Sequence, residues 1–468
     1  LSSIGIQTNK FNKFISDKAS QAKNINLELD TIKFKLDVKE LSLFLETQNP
    51  IINYKDVSIP VQYIKLYIDF LSLLKSEPKI IKANILLEEL NISQIKQLSV
   101  LMKPSNFKSL LNNRVKNGKI ISEIEIFLNK KGLLNNFIAK GKIEDLKVEL
   151  LNGLDLIKTN LSFFADNNDI LIKNIQGKFE DIKISDGDIK LNLENGIKIS
   201  SNFNSKIDLN KSLIVKYIKL LEEFENIKKV SVLKADLNNS FLIELDQTYK
   251  VKDYNYNISG NLKKIKYELP QPIKNTFLTE KIKEIYFSNF KIQTVFSPTN
   301  NSLKGTGKYS FNNLDFLKIN LENDFNKHLA NLKLEFDYGN SLKLETINYN
   351  KSKDSIANIY IDLERKKKNL NINKLNYNEG NNSIKIDNLK IRENNFLSFN
   401  NIDVVTLNNN FSIKNYKKIL IKGNKFDATN LIKSFNKTND ENVFQNINSQ
   451  IEIDFKNIKV PMSEKIQN

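Results

Sequence analysis

The chain has 468 residues, a formal net charge of +17, no cysteine and a single histidine. Without cysteine there are no disulfides and no thiolate chemistry. With only His328, neither a histidine-based metal site nor a Ser-His-Asp arrangement can be assembled. The positive charge invites a nucleic-acid reading, but only Arg114, Arg365 and Arg392 are arginines, and the lysines are spread rather than clustered. Phosphate and base-edge recognition leans on arginine, so no nucleic-acid partner is expected. A hydrophobic content of 40% is enough for a folded chain.

Residues 1–23 carry a short amphipathic pattern (Phe11, Phe14, Ile15, Ala19) that predicts a helical lead-in. A strict period of two then sets in. Ile25, Leu27 and Leu29 alternate with polar residues, and Ile32, Phe34, Leu36 and Val38 follow, then Leu41, Leu43 and Leu45. This alternation gives a strand one apolar and one polar face, and it fixes register, because a one-residue slip inverts every side chain. Asn49-Pro50 reads as a turn, and Ile64, Leu66, Ile68 and Phe70 as the next strand. Residues 91–113 read as helical, with Asn91 or Ser93 as N-cap.

Strands resume at Lys119. Ile124, Ile126 and Leu128 alternate; Ile182 and Ile184 form one run, and Ile189, Leu191 and Leu193 another. Residues 211–226, with Leu213, Ile218, Leu221 and Phe224, have helical spacing. Beyond them Leu332, Leu334 and Phe336 repeat the opening pattern, Ile384 to Ile391 continue it, and Ile451, Ile453 and Phe455 close it. Periodicity predicts about 25 to 30 short strands and four or five helices.

No enzyme signature survives. Gly305-Thr306-Gly307-Lys308 lacks the first glycine of a phosphate loop, Ser302 standing there, and reads as a hairpin turn. His328, just before a strand, reads as a surface residue, and Arg365-Lys366-Lys367-Lys368 as a turn between strands. Carboxylates two apart, Glu123/Glu125 and Asp186/Asp188, read as solvated strand surface. No catalytic residue, metal or cofactor is expected. No stretch of 18 apolar residues is present, so no bilayer-spanning helix is read in the sequence. Because the first residue is Leu1, the chain reads as a fragment or processed form.

The expected fold is mainly β: a long curled antiparallel sheet forming an elongated hydrophobic groove, with a few short helices capping or lining it. The expected organisation is a lead-in at 1–23, a first half of the groove at 24–210, a helical insertion at 211–226, and a second half at 227–468. Candidate groove-lining residues are Ile25, Leu27, Leu29, Phe34, Leu36, Ile124, Ile126, Leu332, Leu334, Phe336, Ile451 and Ile453.

Two stretches resemble the AsmA-like family of bacterial envelope proteins, relatives of TamB and YhdP. In residues 41–92, a strand ends at Asn49-Pro50, followed by Val57-Ser58-Ile59-Pro60 and the strand Ile64 to Asp69. The second, Gly423-Asn424-Lys425-Phe426-Asp427-Ala428, resembles the family's Gly-x-x-Phe-Asp-Ala step from strand to short helix. Lys75-Ser76-Glu77-Pro78 stands where many members have a small-residue turn, and the family's N-terminal membrane helix would precede Leu1. The resemblance implies a protein anchored in the inner membrane and extending through the periplasm. It would carry phospholipids toward the outer membrane along an apolar groove, an architecture shared with bridge-like lipid-transfer proteins. Its expected partners are phospholipids, the inner membrane and outer-membrane components. The alternative reading is a structural or assembly factor for outer-membrane proteins, without lipid carriage.

Overall fold

The structure, a computed structural model, describes residues 6–8, 12–20, 25–29, 31–37, 42–54, 57–69, 72, 79–100, 104–129, 131–151, 153–194, 196–218, 229–246, 248, 250–273, 278, 280–393, 395–430 and 450–460. The fold is mainly β, and its strands pair antiparallel in sequence-order meanders except at the last one. The chain divides into two compact units, Leu1–Lys206 with Asn238–Tyr254, and Ile207–Leu237 with Asn255–Asn468.

In the first unit the lead-in contains a three-residue strand, Ile6–Thr8, as well as the helix α1 (Asn12–Ser20). Ile25–Glu28 pairs with Ile51–Tyr54, a strand the periodicity missed, because Asn53 and Tyr54 interrupt its apolar run. The long strand Val57–Ile68 serves two pairings. Its first residues pair with Ile51–Tyr54 and its last with Ser42–Gln48. This layering, with α1 on top, seals a closed core of Ile15, Leu27, Ile32, Leu45, Val61 and Ile64. Full burial of each such side chain is worth about 1.5–3 kcal/mol.

Helix α2 (Ile92–Ser99) starts at Asn91, whose side chain accepts from the Gln94 amide while the Gln94 side chain accepts from the Asn91 amide. This reciprocal cap satisfies two of the helix's free donors. Helix α3 (Asn106–Arg114) is capped by Ser105 and leads straight into the strand Val115–Leu128. From there long strands follow one another to Ile197–Asn210.

Positive-φ residues recur in neighbouring strands of this run: Asp145, Lys158, Asn174 and Asp186. Each coincides with a register shift to the next strand. Bulges that line up across a sheet bend and twist it locally, so the first unit's sheet curls along this line. The two apolar runs at Ile182/Ile184 and Ile189/Leu191 are therefore one strand, Ile182–Asn192, in which the Asp186 bulge switches the apolar positions from even to odd numbers and keeps them on one face. Asn388 marks the same change between Ile386 and Leu389 in the second unit.

The second unit carries helix α4 (Lys211–Ile218), with Ile214 and Tyr217 buried and Lys211 paired to Glu268 at 2.7 Å. Among the described residues it is a single short helix, tied through Lys211 to the strand Val251–Ile273; residues 219–226 of the predicted insertion lie outside the described residues. The sheet then runs from Val251–Ile273 through Ile282–Phe296 and onward to Ile419–Asp427. Two findings correct the sequence reading. Gly305-Thr306-Gly307 lies in mid-strand, within Asn301–Ser310, and the hairpin turn is at Ser297–Asn300. Glycine has no side chain to alternate, so it hides the strand's period. And the last strand, Ile451–Lys459, pairs in parallel with Ile419–Asp427, not antiparallel.

Candidate functional site

In the second unit, cross-strand register puts apolar residues in continuous rows. Ile292 faces Gly305, Gly305 faces Leu321, and Leu321 faces Leu334. Leu334 faces Ile361, then Leu375 and Ile386 follow. The row continues through Ile402 and Ile413 to Ile421. A parallel row runs from Ile319 through Phe336, Ile359 and Tyr377 to Ile384 and Val404. Partners directly opposite have Cβ atoms about 4.5–5.5 Å apart, so each row is a contiguous hydrocarbon strip.

The first of these strips is not the inside of a sandwich. Leu321, Leu332, Leu334, Ile361, Ile386 and Ile413 are half-buried, whereas the lysines, asparagines and glutamates between them are mostly exposed. A second sheet at about 10 Å would bury such a face. Leu332, Leu334 and Phe336 thus lie on the face the sequence assigned them, with Lys333 exposed on the other. In the first unit Ile124 and Ile126 occupy the equivalent position. Ile85, Ile124, Ala139, Ala165, Ile170 and Leu191 form one row there, half-buried where described.

The other candidate lining residues fall elsewhere. Leu27, 8% exposed, belongs to the closed core under α1, and Leu29 and Phe34 pack against it. They line no open groove, because the folded-over strands supply the second layer the alternation alone does not reveal. Leu36 is half-buried opposite Leu43, and the side chain of Ile25 lies outside the described residues. Ile451 and Ile453 are 55% and 61% exposed. They pair on one side with Ile419 and Ile421, and no described strand covers the other.

Glycines tune the face. A Cβ on Gly305 would sit 2.1 Å from the Phe290 ring, and one on Gly423 2.4 Å from Phe411 Cβ. Phe290 and Phe411, both buried, can lie flat on the sheet only because these positions are glycine. A depression of about 610 Å³ lies on the opposite, polar face, where Lys291, Gln293, Lys304, Thr306, Glu322 and Lys333 flank the Gly305 row.

One stretch of the second unit's face is covered. The hairpin Leu342–Leu344 and Tyr349–Lys351, with the 3-10 turn between them, lays Leu342, Leu344 and Ile347 over Ile359, Tyr377 and Ile384. Three polar locks hold it. Tyr349 and Tyr377 hydroxyls lie 2.7 Å apart, and Tyr349 donates to Glu379 at 2.6 Å. Burial, opposed in part by its hydrogen bond with Tyr349, pushes the Tyr377 hydroxyl up to about 12. Lys351, 2% exposed, donates to the carbonyls of Gly339, Asn340, Ser352 and Ser355 at 2.6–3.2 Å. Its burial lowers its pKa below the ordinary lysine value.

The third lock is Asp427, in the Gly-x-x-Phe-Asp-Ala stretch and 1% exposed. It accepts from the Thr429 amide and hydroxyl and from Asn348, while its own amide donates to Asn409. Asn409 in turn donates to the Ile347 carbonyl at 2.7 Å. Burial raises the Asp427 pKa, but the bonds from Thr429 and Asn348 and the nearby Lys459 ammonium outweigh it, leaving about 2. The sequence showed the motif but not that its carboxylate anchors a hairpin some eighty residues earlier.

The polar faces carry ion ladders. Glu125 binds Lys82 at 3.2 Å and Lys140 at 3.3 Å, and Lys140 reaches Glu123 at 3.1 Å. Burial would raise Glu125, yet the two ammoniums hold it below the usual carboxylate range. Among the described residues no group of three histidine, cysteine or carboxylate side chains could hold a metal, and no helix is long and apolar enough to cross a membrane. Comparisons with protein-family models, with curated proteins and with solved structures find no match.

Proposed function

We propose that the chain is a lipid-transfer protein of the bacterial cell envelope, shielding phospholipid acyl chains on the apolar faces of its curled sheets between inner and outer membranes. What supports this is the apolar strip through Leu321, Leu334, Ile361, Ile386 and Ile413, which stays half-open instead of closing into a core. Exposing one acyl chain of 16 carbons to water costs roughly 13 kcal/mol at about 0.8 kcal/mol per methylene. An apolar strip with hydrated flanks offsets most of that cost, and breaks no bond in doing so. Periplasmic placement, an inner-membrane anchor and the AsmA-like kinship belong to the same proposal. They rest on the two motif stretches, of which the Asp427 stretch acts here as a structural anchor.

The test is transfer of a fluorescent phospholipid from donor to acceptor vesicles. The proposal expects acceleration in proportion to chain concentration. An assembly factor with no lipid carriage would leave the rate at its spontaneous value.

A further inference from the structure

The turns at the two ends of the second unit's strands differ in charge. At one end, consecutive hairpins present Lys327 and His328, then Arg365-Lys366-Lys367-Lys368, then Arg392, then Lys417 and Lys418. All are exposed. Lys368 is paired with Glu393 and Lys418 with Glu452. Among the described residues, Lys327, Arg365, Lys366, Lys367, Arg392 and Lys417 have no ion-pair partner. The opposite end presents Asp315, Asp354 and Glu379, and its Lys353 is held by Glu280. Successive hairpins are about 10 Å apart, so the basic rim extends on the order of 30 Å along the sheet.

Two features point to a ligand and not merely a solvated edge. The chain holds only three arginines, and Arg365 and Arg392 both stand on this rim. Arg365 also lies opposite Ala330 and Leu370, and Leu370 lies opposite Ile391, so its side chain leaves from the apolar face. A guanidinium there sits at the boundary where hydrocarbon gives way to water. Its planar fork matches two oxygens of a phosphate.

We propose that this rim binds the phosphate of an anionic amphiphile whose chain lies on the adjoining apolar strips, with Arg365 as the principal contact. The inference rests on the lipid-transfer reading and adds headgroup class and orientation: headgroups sit at the 326–328, 367–368 and 416–418 turns, and chains run toward the opposite end.

The experiment measures binding of three probes below micellar concentration: hexadecyl phosphate, an uncharged hexadecyl ethylene-glycol ether, and inorganic phosphate. They are titrated against the wild-type chain, Arg365→Glu/Lys366→Glu/Lys367→Glu, and the polar-face control Lys304→Glu/Lys333→Glu. The wild type should prefer hexadecyl phosphate to the neutral ether by roughly tenfold or more, as loss of one charge-assisted contact would cost. That preference should shrink in high salt. The rim variant should lose it while binding the ether unchanged; the control should keep it. A rim variant that retains the preference overturns the proposal, as does inorganic phosphate binding as tightly as hexadecyl phosphate, which would mark a free-phosphate site. Equal wild-type binding of both amphiphiles overturns the rim alone and leaves the lipid reading standing. Binding of neither overturns both.

Discussion

Leu334→Glu discriminates an open apolar face from a packed interior. Leu334 stands mid-row, opposite Leu321 on one side and Ile361 on the other, with Leu332 and Phe336 beside it on its own strand. It is half-buried. Complete burial of leucine is worth about 1.5–3 kcal/mol, and Leu334 is buried over most of its surface, so losing the side chain should cost about 1–2.5 kcal/mol. On an open face the new carboxylate remains hydrated and adds little. In a closed core it would add several kcal/mol of uncompensated charge burial. Urea unfolding should therefore show a modest drop in midpoint with an unchanged slope. Vesicle-to-vesicle transfer should fall strongly, because the charge interrupts the hydrocarbon strip. Lys333→Glu, on the other face, should alter neither reading appreciably. A Leu334→Glu chain that loses more than about 4 kcal/mol, or does not fold, would refute the open-face account.

Asp427 should make stability depend on acid. Its folded pKa of about 2 lies below the unfolded value of about 3.9. The stabilisation, about 2–3 kcal/mol, is complete above about pH 5 and lost as pH falls through 2; Asp427→Ala should lower stability at pH 7 and flatten the curve between pH 5 and 2. Lys351→Met leaves four backbone carbonyls without their shared donor, at a cost of a few kcal/mol. Hydrogen exchange should then quicken in Leu342–Leu344 and Tyr349–Lys351 but not in the core around Ile32. Gly305→Val puts a methine 2.1 Å from the Phe290 ring; expelling the ring should cost about 1–3 kcal/mol, read as a lower melting temperature that Thr306→Val, on the exposed face, does not reproduce.

Much of the fold was legible because a half-buried strand must alternate. Leu332, Leu334 and Phe336 were assigned their face from spacing alone, and Asn91 was recognisable as a cap. What stayed hidden has physical causes. Bulges such as Asp186 shift the alternation by one residue within one strand, so Ile184 and Ile189 looked like separate elements. Gly305 and Gly307 carry no side chain to count. Whether an apolar face is covered depends on distant segments: α1 seals Leu27 and Ile32, and the Leu342–Lys351 hairpin covers Ile359 and Tyr377. Lys351 reads as one more surface lysine in the sequence, yet the fold buries it among carbonyls. Arg365 and Arg392 came to the same end of the sheet only when register placed Asn369 beside both Lys366 and Arg392, with Arg365 leaving from the apolar face and Arg392 from the other.

The central claim is that the half-open strips hold lipid. The most direct measurement is solvent extraction of the chain purified without detergent from bacterial cells, with phospholipid quantified by mass spectrometry per mole of chain. The account predicts phospholipid at one or more molecules per chain, reduced in Leu334→Glu. Phospholipid no higher than on a folded β-sheet protein with a closed core, purified in parallel, would contradict it.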